Sequence, residues 1–277
     1  MREFVYERNG SLFSPTTWAG SPWAEGLQHG GPINALFALA AEEAAQASDL
    51  HVVRMTVDLI RPVPRIPLAL SWHFTRQGRR LANVEAQLNH PKTEELISRA
   101  QIALLRPQEQ ASPTIQTAPP DLASLKAFPA IEFIPKAVRS HVPPGFHMSF
   151  AVRLGQDDAG PAAWITSPLD LLPGTPMSPL QRSAAVADLT FALCQQTLRQ
   201  AQSNPDNEWG PPSINVDTTL YWERAPVGDW FGFRPGLVTA QKGIGVIDAS
   251  MGDVQGRLGR SVQATLIQEA EPPSDRS

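Results

Sequence analysis

Two places in the chain combine residue types that could do chemistry. Asp188 interrupts the apolar run SAAVADLTFAL. A buried carboxylate is costly unless it is paired, hydrogen-bonded or functional, and perturbed carboxylates concentrate at active sites. Far away in sequence, His29-Gly30-Gly31-Pro32 stands directly before INALFALAAEEAA, a stretch that is apolar on nearly every helical side. Proline is welcome in the first helical turn, and glycines let a ligand or another backbone come close. The start of a helix carries roughly half a positive charge and free N–H groups. A carboxylate base and an electropositive helix end are two of the parts needed for water to attack a polarised carbonyl. Each residue also has a plain structural reading. Asp188 could be held by loop N–H groups, and His29 could be a turn residue that orders its loop.

The elements that must position these groups read as a repeat. Each half runs as one long helix followed by strands. The first half continues through HVVRMTVDLIRPVP, RRLANVEAQLNH and LISRAQIALL; the second continues from SPLQRSAAVADLTFALCQQTL through INVDTTLYWERAPV, GIGVIDASMG and RLGRSVQATLI. Setting Arg61 against Arg224 brings Val52 opposite Asn215 and Gln101 nearly opposite Gln263. Sliding the first helix along the second places Asn34 or Ala38 opposite Asp188, and neither is an acid. Glu42 and Glu43 come later, near a helix end. A single acid-base centre would therefore belong to the second half.

Strands in a row after one helix imply an α+β fold with antiparallel sheet rather than alternating β-α-β units. A helix apolar all round requires that sheet to curl about it. The expected architecture is two antiparallel sheets, each wrapped around a long buried helix. Residues 1–105 form the first unit, 106–145 a proline-rich connection, and 146–277 the second unit. Ile131, Phe133 and Ile134 mark the connection as packed down rather than loose. The tail EAEPPSDRS reads as disordered.

Bulk composition removes several function classes. A net charge of -4 over 277 residues gives no footprint for nucleic acid. The lone Cys194 excludes internal disulfides and thiolate metal clusters, and His141 and His147 lack ligand-like spacing for zinc. No metal or cofactor is expected. No apolar run is long enough for a membrane span, and MREFVYERNG lacks the core of a signal peptide, so the expected setting is cytoplasmic. GIGVID has no following helix and no third glycine, so it is not a dinucleotide loop. No G-x-S-x-G elbow is present. The tryptophans read as caps on the core.

The segment PTTWAGSPWAEGLQHGGP, the apolar helix behind it, the second-half Ala187-Asp188 helix and the strand SVQATLIQ together resemble the double-hotdog acyl-CoA thioesterases, a likeness that covers nearly the whole chain. The resemblance implies a tandem hotdog that hydrolyses acyl-CoA or acyl-carrier thioesters to acid and thiol. It implies that His29, Gly30 and Gly31 bind the thioester at the helix start while Asp188 handles the water. It further implies two helpers that hold the attacking water. Gln263 falls at the glutamine position, and Asn215 falls where the family has a hydroxyl. Both have bland alternatives, Gln263 facing solvent and Asn215 merely starting a strand. The Asn215 departure leaves open a non-catalytic acyl-thioester-binding protein. A hotdog hydratase would need a paired Asp and His, and the sequence shows no such partner near Asp188. A fused pair of units is expected to associate further into a homo-oligomer.

Overall fold

The structure is a computed structural model and describes residues 2–108, 121–201 and 213–267. The tail EAEPPSDRS lies outside the described residues, as does part of the proline-rich connection.

The first half opens with the hairpin β1 (Tyr6–Asn9) and β2 (Leu12–Pro15), then helix α1 (Gly30–Ser48). Four strands follow: β3 (His51–Asp58), β4 (Leu68–Gln77), β5 (Leu81–Asn89) and β6 (Leu96–Leu105). Among the described residues the connection carries a 3-10 turn at Leu125–Ala127, β7 (Ala130–Ile131) and helix α2 (Lys136–Arg139), and a second 3-10 turn at Phe146–Ser149 leads into the second half. Phe133 is buried, and Ile131 and Ile134 pack on the main core, so the connection is pressed down as expected. The second half repeats the plan. The hairpin β8 (Ala151–Asp157) and β9 (Gly160–Thr166) is followed by the small pair β10 (Asp170–Leu172) and β11 (Thr175–Pro176). Helices α3 (Pro179–Ala187) and α4 (Thr190–Ala201) come next. The chain ends in β12 (Ser213–Asn215), β13 (Asp217–Trp222), β14 (Phe231–Gln241), β15 (Ile244–Asp253) and β16 (Gly256–Ile267).

The two expected sheets are one. Fourteen strands form a single antiparallel sheet whose central run is β4-β5-β6-β3-β13-β16-β15-β14. The halves join where β3 pairs with β13, with Met55 opposite Leu220 and Thr56 opposite Thr219. Each half alone would have left that strand as an open edge, and pairing the two edges satisfies their backbone groups. Read outward from the join, the strand order is the same on both sides, so the repeat seen in the sequence is also a repeat of topology. The hairpins β1–β2 and β8–β9 extend the two outer ends in matching positions.

Along β5 the buried residues alternate as Ala82, Val84, Ala86 and Leu88. Helix α1 packs on β3 through β6 and against α3. That double cover explains its all-round apolar character: Ile33 through Ala38 are buried without interruption. The second helix departs from expectation. It is not continuous, because Asp188 and Leu189 form a turn between α3 and α4. Asp188 thus sits at a helix break rather than inside a helix. No helix among the described residues is long and apolar enough to cross a membrane.

Candidate active site

The start of α1 is held by its own loop. Gln28 accepts from the Tyr6 hydroxyl at 2.7 Å and donates to the Pro64 carbonyl at 2.8 Å, while the His29 N–H donates to Ala19 O at 2.9 Å. His29 is then the N-cap residue, with Nδ1 3.1 Å from the Gly31 nitrogen. The same Nδ1 lies 2.9 Å from Asp188 Oδ2. The two glycines are explained by what presses on them. A Cβ on Gly30 would collide with the Asp188 carboxylate, and one on Gly31 would sit 2.6 Å from the Ala185 carbonyl oxygen and 2.6 Å from the Phe146 ring. The close approach that glycine permits here is made by α3 and by Phe146. The positive end of α1 opens onto the Asp188 carboxylate, a favourable placement for an anion.

Asp188 is delivered by the helix break, and the break is stitched by side chains. Gln263 on β16 accepts the Phe191 N–H on Oε1 at 3.0 Å. Its Nε2 lies 3.1 Å from Asp188 O, 3.2 Å from Ala187 O and 2.8 Å from Thr218 Oγ1. Thr190 adds a bond to Ala187 O at 2.6 Å. These contacts replace the backbone bonds that an interrupted helix loses. Gln263 is therefore fully buried, and the solvent-facing alternative is ruled out. Asn215 at the end of β12 donates from Nδ2 to Asp188 Oδ1 at 2.7 Å. Both carboxylate oxygens of Asp188 are engaged, and the residue keeps 8% exposure.

The connection between the halves roofs this site. Gly20 and Gly145 meet so closely that neither could carry a side chain, and the Phe146 N–H donates to Gly20 O at 3.0 Å. That clasp sets Phe146 5.6 Å and Phe150 6.1 Å from the His29 ring, centroid to centroid. His147 stacks on His29 at 6.2 Å with 18° between planes. It is 3% exposed, and its ring nitrogens face the backbone carbonyls of Pro143 and Gly20 without a well-aligned hydrogen bond. Burial, and then the neighbouring His29, hold its pKa down at about 4, so it is neutral at neutral pH. Beyond Met148 and Ser149 a cleft of about 570 Å³ opens, lined also by Trp18, Arg182 and Trp230.

The structure thus brings together His29, Gly30, Gly31, Asp188 and Asn215, with Gln263 one shell behind on the backbone of Asp188. His147 and Thr218 were not singled out as site residues from the sequence. Thr218 follows Asn215 by three positions in INVDTT, and its hydroxyl is the one that meets Gln263. The expectation that Asp188 has no paired histidine is overturned by the 2.9 Å contact with His29. The partner lies 159 positions away in the other half, so no local pattern could have shown it. Glu42 is likewise more than a helix-end acid. It is half-buried and accepts from Ser178 Oγ at 2.5 Å and Gln181 Nε2 at 2.6 Å.

The sequence profile of the acyl-CoA thioesterase N-terminal domain matches residues 19–115, and that of the acyl-CoA thioesterase C-terminal domain matches residues 112–267. No curated protein sequence matches the chain. Among solved structures, a conserved protein of unknown function with a hot dog fold from Alicyclobacillus acidocaldarius is 17% identical with a TM-score of 0.66, covering 96% of this chain and 97% of that one. The acyl-CoA thioesterase II TesB2 from Mycobacterium marinum is 14% identical with a TM-score of 0.60, covering 99% and 97%. The tesB protein from Mycobacterium avium subs paratuberculosis is 15% identical with a TM-score of 0.60, covering 95% and 96%. At these identities the structures establish a hotdog fold, while the two profiles span both halves. The chain belongs to the acyl-CoA thioesterase family, as a thioester hydrolase.

Proposed function

We propose that the protein hydrolyses acyl-CoA or acyl-carrier thioesters, with water attack assisted by Asp188 and the carbonyl polarised by the first-turn N–H groups of α1. The observation that carries this reading is the Asp188 carboxylate lying against the start of α1, between the Asn215 amide and the His29 ring. Backbone donors aimed at a developing oxyanion typically supply ~2.7–4 kcal/mol each. Asn215 holds one carboxylate oxygen, and the hydroxyl beside Gln263 is that of Thr218. Gln263 acts as a positioning residue, since its contacts to the helix break fix where Asp188 points. No cofactor is part of the reading. Each half of the sheet is taken to curl about its own helix, with unit boundaries near residues 105 and 145, in a cytoplasmic enzyme. The test is thiol release from a panel of acyl-CoA chain lengths, compared with the same panel on Asp188→Asn.

A second reading rests on the His29–Asp188 pair. Two proton-moving groups side by side also suit addition of water to an enoyl thioester. Loss of enoyl absorbance without thiol release would favour it. Association into a homo-oligomer is supported by exposed apolar residues on adjoining strands, where Leu266 stands opposite both Ile244 and Ile214. A sedimentation run at micromolar concentration that gives only a 30.1 kDa species would count against it.

A further inference from the structure

We propose that Asp188 works through His29, and that the His29 ring is the proton shuttle that first activates the water and then protonates the departing sulfur. The inference rests on the hydrolytic reading above and names the route the proton takes. It begins with an incompatibility at one atom. His29 Nδ1 is 2.9 Å from Asp188 Oδ2 and 3.1 Å from the Gly31 nitrogen. A ring nitrogen either carries a proton and donates, or carries a lone pair and accepts. With the proton on Nδ1, His29 donates to Asp188 and the Gly31 N–H is released at the mouth of α1. With the proton absent, Nδ1 caps Gly31 and leaves two electron-rich atoms face to face across 2.9 Å. The carboxylate therefore selects the tautomer with Nδ1–H and a free lone pair on Nε2. That is the arrangement in which a carboxylate orients an imidazole base and stabilises its cation.

The steps then balance. His29 Nε2 takes a proton from water as the water oxygen bonds to the thioester carbon, and the resulting imidazolium is held by ionised Asp188. The carbonyl oxygen becomes an oxyanion, stabilised by the positive start of α1, and re-forms the carbonyl when the C–S bond breaks. The C–S bond breaks with its electron pair going to sulfur, and the sulfur takes the proton from Nε2. The ring returns to neutral, the thiol leaves, and the carboxylic acid ionises in solvent. A naked thiolate in so apolar a place would be costly, and the shuttle removes it.

One further observation points to His29 rather than to direct action by Asp188. Both oxygens of the carboxylate already accept a bond, one from Asn215 and one facing His29.

The experiment compares wild type with His29→Asn on two thioesters, an alkyl acyl-CoA and an acyl ester of a nitro-substituted thiophenol whose sulfur leaves without a proton. Asparagine is a good N-cap residue, so the start of α1 keeps its acceptor. We expect kcat on the alkyl thioester to fall about 10²–10⁴-fold with KM little changed, and the loss on the aryl thioester to be at least roughly tenfold smaller. Equal losses on the two substrates, or a folded variant whose alkyl rate stays within about threefold of wild type, would overturn the shuttle. If His29→Asn does not fold, wild type alone decides. A rate nearly independent of leaving-thiol acidity supports proton delivery, and a steep dependence contradicts it. A wild type that releases thiol from neither substrate removes the hydrolytic reading itself, and the shuttle with it.

Discussion

The molecule contains two carboxylates set against two helix starts, one in each direction across the α1–α3 contact. At one end Asp188, from the second half, meets the start of α1. At the other end Glu42, from α1, meets the start of α3. The partners differ. Glu42 is held by the Ser178 hydroxyl and the Gln181 amide, the same two residues that form the capping box of α3. Neither partner titrates. Asp188 is held by the Asn215 amide and by an imidazole, with a second imidazole stacked behind it. The helix break adds a further asymmetry, since α1 runs unbroken over 19 residues while its counterpart is interrupted at Asp188. The same placement thus serves architecture at Glu42 and chemistry at Asp188, and the deciding feature is a neighbour that can carry a proton.

The comparison breaks most severely at Gly31. A valine there would drive its branched side chain into the Ala185 carbonyl and the Phe146 ring, each only 2.6 Å from the first added carbon. We expect Gly31→Val to lose about 3 kcal/mol or more of stability, read as a lowered denaturation midpoint, with activity falling alongside. A wild-type midpoint would mean that α3 does not press on the start of α1.

His147 sharpens the comparison, because only the Asp188 end has a buried imidazole to charge. Its folded pKa of about 4 lies below the ordinary 6.5. The unfolded chain therefore binds the extra proton first, and stability falls as pH drops from 6.5 toward 4. At 1.36 kcal/mol per pKa unit the loss is about 3 kcal/mol. His147→Phe should remove much of that acid sensitivity in melting curves taken across the window. An unchanged pH profile would show that His147 is not desolvated.

Asn215→Thr removes the amide that donates to Asp188 Oδ1 at 2.7 Å, while the hydroxyl beside Gln263 stays in place on Thr218. Losing that one hydrogen bond corresponds to a fall of roughly 2–10-fold in kcat, with little change in melting temperature. An unchanged kcat would show that the amide does not hold the carboxylate in position.

The smallest effect belongs to Glu42. Burial raises its pKa, with Ser178 and Gln181 pulling it partly back. A raised carboxyl favours folding while protonated, so its contribution declines as pH rises from the ordinary carboxyl value through the folded one. Glu42→Gln should flatten that decline and add about 1 kcal/mol or less at neutral pH, leaving thiol release intact. Loss of thiol release would erase the distinction between the two ends.

Much of this was legible in the chain, for physical reasons that particular residues make plain. The apolar helix after Gly31 and the alternation of Val84, Ala86 and Leu88 are local patterns and appear as read, whereas the hairpins ahead of each helix and the strands β4 and β14 were not in the expected order of one helix followed by strands. Strand β4 also carried a visible signal in Leu68, Leu70, Trp72 and Phe74, which alternate along LALSWHFTRQ. Strand β9 did not, because GPAAWIT is buried almost continuously and has no polar face. The merging of two sheets into one depends on the β3–β13 pairing, which no local period encodes. Asp188 stood out because an acid in an apolar run is rare. Its partner His29 could not be found from Asp188, since their contact is made by packing α1 against α3. The helix break was hidden for a similar reason: what stabilises it is Gln263, a residue on a distant strand.

The most direct test of the account is the rate of thiol release from one acyl-CoA by wild type and Asp188→Asn, with melting temperature taken on the same preparations. The substitution keeps the shape and removes the charge. The account predicts a fall of about 10²–10⁴-fold in kcat, with KM little changed and a modest drop in melting temperature from losing the anion at the start of α1. Near-normal specific activity in the folded fraction would contradict it, and would make Asp188 a second structural carboxylate like Glu42.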